Sequence, residues 1–117
     1  MKLIVISCNN VNSDERQWGW MDEGIDTFLQ YLTEKEFDPE YPSRRGPPNK
    51  IVPYMSGNQE YIAPIMSNPE NVYQLGPNAY AKPATALNIL RETIMGKELF
   101  DFAFKTFSER WMFKHPT

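Results

Sequence analysis

The distribution of proline constrains the fold of this chain more than any other feature. Eight of the ten prolines lie between Pro39 and Pro77, and the segments on either side are almost free of proline. Because proline interrupts helices and central strands, residues 37–77 are predicted to form a long irregular connector. Loops of this length usually line a functional surface or wrap a neighbour. The predicted order is therefore a helix, the connector and two further helices.

The first helix is predicted from Met21 to Glu36. Apolar residues recur there at helical spacing and form one stripe that faces inward, namely Trp18, Met21, Ile25, Phe28, Leu29 and Leu32. Glu23 falls on the opposite side of this helix, in line with Thr27 and Gln30. Periodicity alone therefore predicts that Glu23 is an ordinary solvated carboxylate.

The second helix is predicted over Asn78–Met95, with Gly96 as its stop signal. Its apolar face carries Tyr80, Ala84, Leu87, Leu90 and Ile94. Pro83 fits only the first turn of a helix, so Tyr80 should lie at or just before the helix start. Two interpretations of Tyr80 follow: a buried core tyrosine, or a side chain that reaches into a cleft.

The last helix is predicted over Glu98–Phe113 and carries a ridge of aromatic residues. Phe100, Phe104, Phe107 and Trp111 share one stripe. Together with Phe102, Met112 and Phe113 they exceed what one helix face can bury, so some apolar surface should stay open to a partner.

Composition predicts one small, mainly α-helical domain and limits its partners. The chain has 117 residues, of which 41% are hydrophobic, and a net charge of −3. This charge gives no broad positive field, so neither nucleic acid nor an anionic membrane surface is an expected partner. No apolar run approaches the roughly 20 residues of a membrane-spanning helix. The single cysteine, Cys8, leaves the compartment open.

Two short motifs then carry a family resemblance. The segment Val11–Gly24 ends in Asp22-Glu23-Gly24, and the segment Ala79–Ala84 reads A-Y-A-K-P-A. In their order and their spacing of 57 residues, both resemble the region after the metal-binding helix in aminopeptidase N-like gluzincin zinc metallopeptidases. The resemblance covers residues 11–117 as a single helical domain and leaves residues 1–10 as a leader outside the family. It implies the helical lobe of a thermolysin-like catalytic domain.

The resemblance also implies roles for two residues. Glu23 matches the glutamate that is the third zinc ligand in the family, and Tyr80 matches the phenol that stabilises the oxyanion. In the parent enzyme, a zinc ion held by three protein ligands would activate water for attack on a peptide substrate. A tyrosine hydroxyl near the developing negative charge would lower the barrier.

The histidine count predicts that this chain is inactive by itself. In the family, a His-Glu-x-x-His helix supplies two zinc ligands and the general base, and the third ligand follows nineteen residues later. Counting back from Glu23 places the second histidine at Ile4 and the first before Met1, while His115 is the only histidine present. We therefore expect a truncated piece of a metallopeptidase that holds no zinc. The alternative is a stand-alone helical interaction module or a remnant that self-associates through exposed apolar surface.

Overall fold

The computed structural model describes residues 11–117, and this part of the chain is mainly helical. Helices account for 64% of the structure, and residues 11–117 contain no strand. The mainly α-helical prediction is therefore confirmed. The predicted leader, residues 1–10, lies outside the described residues.

The helices occupy the positions that periodicity predicted, to within about two residues. Two of them include π-helical turns, one in the first long helix and two in the second, which we call π1, π2 and π3. The order is π1 (Trp20–Gly24), α1 (Ile25–Phe37), α2 (Val52–Met55), π2 (Pro77–Ala81), α3 (Lys82–Ile89), π3 (Leu90–Ile94) and α4 (Lys97–Trp111). π1 runs directly into α1, and π2, α3 and π3 are continuous. Gly96 separates π3 from α4 with a φ of 81°, a conformation that favours glycine.

The core lies where α1, α3 and α4 meet. Phe28, Ala84 and Phe100 are its buried members, and the ring of Phe28 meets those of Phe100 and Phe104 edge-on at centroid distances of 5.6 and 6.0 Å. Such edge-to-face pairs add to the stabilisation that apolar burial provides. The three predicted apolar stripes therefore meet in one core.

Two faces differ from the periodicity prediction. Thr27, predicted to share the solvated face with Glu23, is only 6% exposed. The reason is that π2 and α3 contact π1 and α1, so the face opposite the apolar stripe is covered as well. Ile94, predicted to face inward, is 68% exposed, because the helix ends there in π3 and the chain turns at Gly96.

The connector is irregular, as predicted, and is tied to the helices by polar side chains. It contains α2 and the 3-10 turns Pro48–Ile51, Gln59–Tyr61 and Pro69–Asn71. The amide of Asn78 donates to the carbonyls of Ala63 and Pro64 at 2.8 and 3.2 Å, and Lys82 Nζ donates to the Ala63 carbonyl at 2.6 Å. These bonds hold residues 63 and 64 against the start of the second long helix.

Within residues 11–117, none of the helices combines the length and apolar character needed to cross a bilayer.

Candidate functional site

The candidate site forms where π1 and π2 pack against each other. Glu23 lies in π1 and Tyr80 lies in π2, and the two turns are in direct contact. Gly24 permits this approach, since a Cβ at this position would lie 2.4 Å from Pro83 Cγ and 3.0 Å from the Ala79 carbonyl oxygen. The glycine of the first motif and the proline of the second are therefore neighbours in space.

Glu23 and Tyr80 lie next to each other. Hydrogen bonding to the Glu23 carboxylate, burial and the negative charge of Glu23 together raise the pKa of Tyr80 to about 12. The guanidinium of Arg45 lies over the tyrosine ring, 4.3 Å from its centroid, and its positive charge acts in the opposite direction on this pKa. Tyr80 is therefore protonated throughout the physiological pH range and can donate a hydrogen bond.

Three carboxylates gather beside the tyrosine. Oxygen atoms of Glu15, Asp22 and Glu23 lie within 4.8 Å of one another, close enough to contact one cation. An all-oxygen donor set is typical of Mg²⁺ or Ca²⁺, whereas catalytic zinc sites usually include imidazole ligands. His115 does not belong to this group, and its Nδ1 lies 3.0 Å from the Asn12 carbonyl. The described donors therefore do not fit a catalytic zinc ion by themselves.

Both sequence-predicted site residues lie in this one place, but neither is in the environment that periodicity predicted. Glu23 is half-buried and bonded to Tyr80, so the expectation of an ordinary solvated carboxylate was wrong. The expectation that Tyr80 lies at or just before the start of the second helix, with Pro83 in the first turn, was wrong, because π2 begins the helix at Pro77 and Tyr80 lies inside it. The Tyr80 side chain borders the site and does not belong to the core cluster. The physical reason is the same for both, because π1 and π2 cover each other.

Two residues of the site were not predicted from the sequence. Glu15 precedes the first helix, and Arg45 lies in the connector, so neither belongs to a periodic pattern. The one available signal for Arg45 was the pair Arg44-Arg45, which stands apart from the other basic residues. No pattern in the sequence indicated that a connector arginine would stack on Tyr80.

Comparison of the chain with protein-family models, with curated proteins and with solved structures finds no match.

Proposed function

We propose that this chain is a piece of a zinc-dependent, aminopeptidase-like metallopeptidase, from the helical lobe of a thermolysin-like catalytic domain. In the parent enzyme, Glu23 would be a zinc ligand and Tyr80 the hydroxyl that faces the peptide substrate. The isolated chain would hold no catalytic zinc and hydrolyse no peptide, because it lacks the histidines and the general base.

The observation that carries this proposal is the packing of π1 against π2, which brings Glu23 and Tyr80, two residues that lie 57 positions apart, next to each other. The resemblance requires a carboxylate from one motif and a phenol from the other to face the same cavity. Gly24 and Pro83 supply the close contact that brings them together. A structure with these side chains on opposite sides would have removed the basis of the proposal.

The inactivity of the isolated chain can be measured directly. After equilibration with zinc chloride and dialysis, we expect well below one equivalent of zinc per chain and no turnover of aminoacyl anilides. Retention of about one zinc ion together with peptide hydrolysis would contradict the proposal, since one carboxylate without imidazole ligands gives no catalytic zinc site.

A completed site gives the sharper test. Met1→Glu and Ile4→His, with a histidine placed immediately before residue 1 at the end of an added helical segment, restore the His-Glu-x-x-His spacing that the resemblance requires. In this background we expect zinc binding to be lost in Glu23→Gln and retained in the matched control Glu15→Gln. Equal zinc retention in Glu23→Gln would count against the assigned role.

The role of Tyr80 is tested in the same background. Tyr80→Phe should keep the zinc and lose peptide turnover, because a hydroxyl that stabilises charge is not a zinc ligand.

The exposed apolar surface favours a second candidate function, a helical interaction module that binds a partner protein or a second copy. Leu99 and Phe102, one turn apart on α4, are 56% and 70% exposed, and Phe113 is 78% exposed. Sedimentation distinguishes the candidates. Association that Phe102→Lys abolishes indicates an interaction surface, whereas a monodisperse monomer at all concentrations argues against one.

A further inference from the structure

The first part of the connector, residues 39–46, lies against α1, and we call it the strap. Lys35 on α1 donates from Nζ to two carbonyls near the start of the strap, at 2.5 and 3.2 Å. At the other end, Gly46 lies so close to the Tyr31 ring that a Cβ there would be 2.5 Å from Tyr31 Cγ, and its φ of 108° favours glycine. Both ends of the strap are therefore fixed on the same helix.

The strap directs one side chain over the candidate site. Ser43 is 4% exposed, and Gly46 is buried as well. Between them, Arg45 is exposed, and its guanidinium lies over the Tyr80 ring. The fixed backbone on either side of Arg45 therefore determines which ring this side chain meets.

The contact that holds the guanidinium is weak. Within residues 11–117, Arg45 stacks on the ring and forms no ion pair. A single cation–π contact at an exposed position shifts an equilibrium by only about two- to fivefold. The side chain of Arg45 can therefore leave the ring while the strap stays in place.

The position of this guanidinium controls access to the tyrosine. Tyr80 is half-buried, and Arg45 lies over one face of its ring. A ligand that contacts this face has to displace the guanidinium first. The carboxylates of Glu15 and Glu23 lie near the tyrosine and attract the same cation, which favours the covered state.

We propose that Arg45 is an autoinhibitory cover of the Glu23–Tyr80 site, which closes one face of the phenol ring until its side chain moves away. The inference rests on the proposed function for what the site does, since in the parent enzyme a peptide substrate would displace this guanidinium. The cover itself follows from the geometry of the strap and the ring, so it is present in the isolated chain.

The accessibility of Tyr80 in the full 117-residue chain tests the cover. Photochemically induced nuclear polarisation with a flavin dye gives an NMR signal from each tyrosine that the dye reaches, and Tyr80→Phe identifies the Tyr80 signal. We expect this signal to be at least twofold stronger in Arg45→Ala than in the parent chain. Arg45→Lys keeps the positive charge and should stay closer to the parent. Tyr73, which is 77% exposed, is the internal reference.

The neighbouring arginine is the matched control. Arg44 is exposed and stacks on no ring within residues 11–117, so Arg44→Ala should leave the Tyr80 signal unchanged. Hydrogen exchange at the Ser43 amide, which donates to the Tyr41 carbonyl at 2.8 Å, shows whether the strap stays in place. The cover is overturned by an unchanged Tyr80 signal in Arg45→Ala, by an equal increase in Arg44→Ala, or by an increase that occurs only with faster exchange at Ser43.

None of these measurements involves zinc or peptide turnover. An unchanged Tyr80 signal in Arg45→Ala therefore refutes the cover and leaves the metallopeptidase proposal as it stands. Zinc retention with peptide hydrolysis by the isolated chain would instead refute that proposal and leave the cover in place.

Discussion

The Glu23–Tyr80 site and the ion-pair cluster around Arg91 both form at π-helical turns, yet they accommodate charged groups in different ways. At the first site an acid and a phenol from two turns bond to each other, and two more carboxylates lie nearby. Around Arg91 in π3, a buried guanidinium is held by the carboxylates of Asp101 and Glu92. Carboxylates therefore gather at the first site, whereas opposite charges pair around Arg91.

This difference shows how each place holds its charges. Carboxylates that gather repel one another unless donors or cations lie nearby. A buried arginine between two carboxylates is stabilised by its partners, so removing one member of the cluster is costly. Substitutions can test whether the energetics of the two places differ in this way.

The largest expected effect concerns Arg91. Arg91→Met should lower the free energy of unfolding by about 3 kcal/mol, because it leaves Asp101 without its cation and leaves Glu92 paired with Lys97 alone among the described residues. The carboxylates are 29% and 39% exposed, which places the effect at the lower end for buried ion pairs. Urea unfolding followed by circular dichroism measures it.

The matched control for Arg91 is an arginine in an exposed ion pair. Arg16 and Glu70 are paired at 3.3 Å with side chains that are 87% and 67% exposed. Arg16→Met should change the free energy of unfolding by less than about 0.5 kcal/mol. Equal effects of the two substitutions would mean that the buried ion pairs of Arg91 stabilise the fold no more than an exposed pair does.

The second effect concerns the contact between π1 and π2. Gly24→Ala places a methyl group 2.4 Å from Pro83 Cγ, and a proline ring and a backbone carbonyl cannot move aside easily. We expect a loss of about 2 kcal/mol in the free energy of unfolding, as for overpacking in other cores. Gly76→Ala is the control, because a Cβ there meets nothing within 4 Å. Comparable urea midpoints for the two variants would refute the close contact.

A feature could be predicted from the sequence when it depends on residues that are close together in the chain. Helical periodicity depends on such neighbours, so it predicted all three long helices and the core residues Phe28 and Phe100. The burial of Thr27 depends on which element covers the second face of a helix, and periodicity contains no such information. Motif spacing brought Glu23 and Tyr80 together as candidates, but the stacking of Arg45 depends on the path of a proline-rich connector that has no period.

The smallest effect is a change in the pKa of Tyr80. Glu23→Gln keeps an oxygen acceptor but removes the charge, so the pKa of Tyr80 should fall from about 12 by about one pH unit, while burial continues to raise it. Chemical shifts of tyrosine labelled at Cζ report this titration, and Tyr80→Phe assigns the signal among the six tyrosines. Glu34→Gln is the control, because the Glu34 carboxylate lies on α1 and accepts a hydrogen bond from Gln30, not from a tyrosine.

The same hydrogen bond predicts how stability depends on pH. Because the pKa of Tyr80 is about 12 in the folded chain and 10.0 in its ordinary state, the folded form binds the proton more tightly. Its contribution to stability is complete below pH 10 and is lost as the pH rises toward 12. The urea midpoint should therefore fall less steeply over this interval in Tyr80→Phe than in the parent chain. Parallel profiles would place the Tyr80 hydroxyl outside hydrogen-bonding reach of Glu23, and the pair would lose its structural basis as a site.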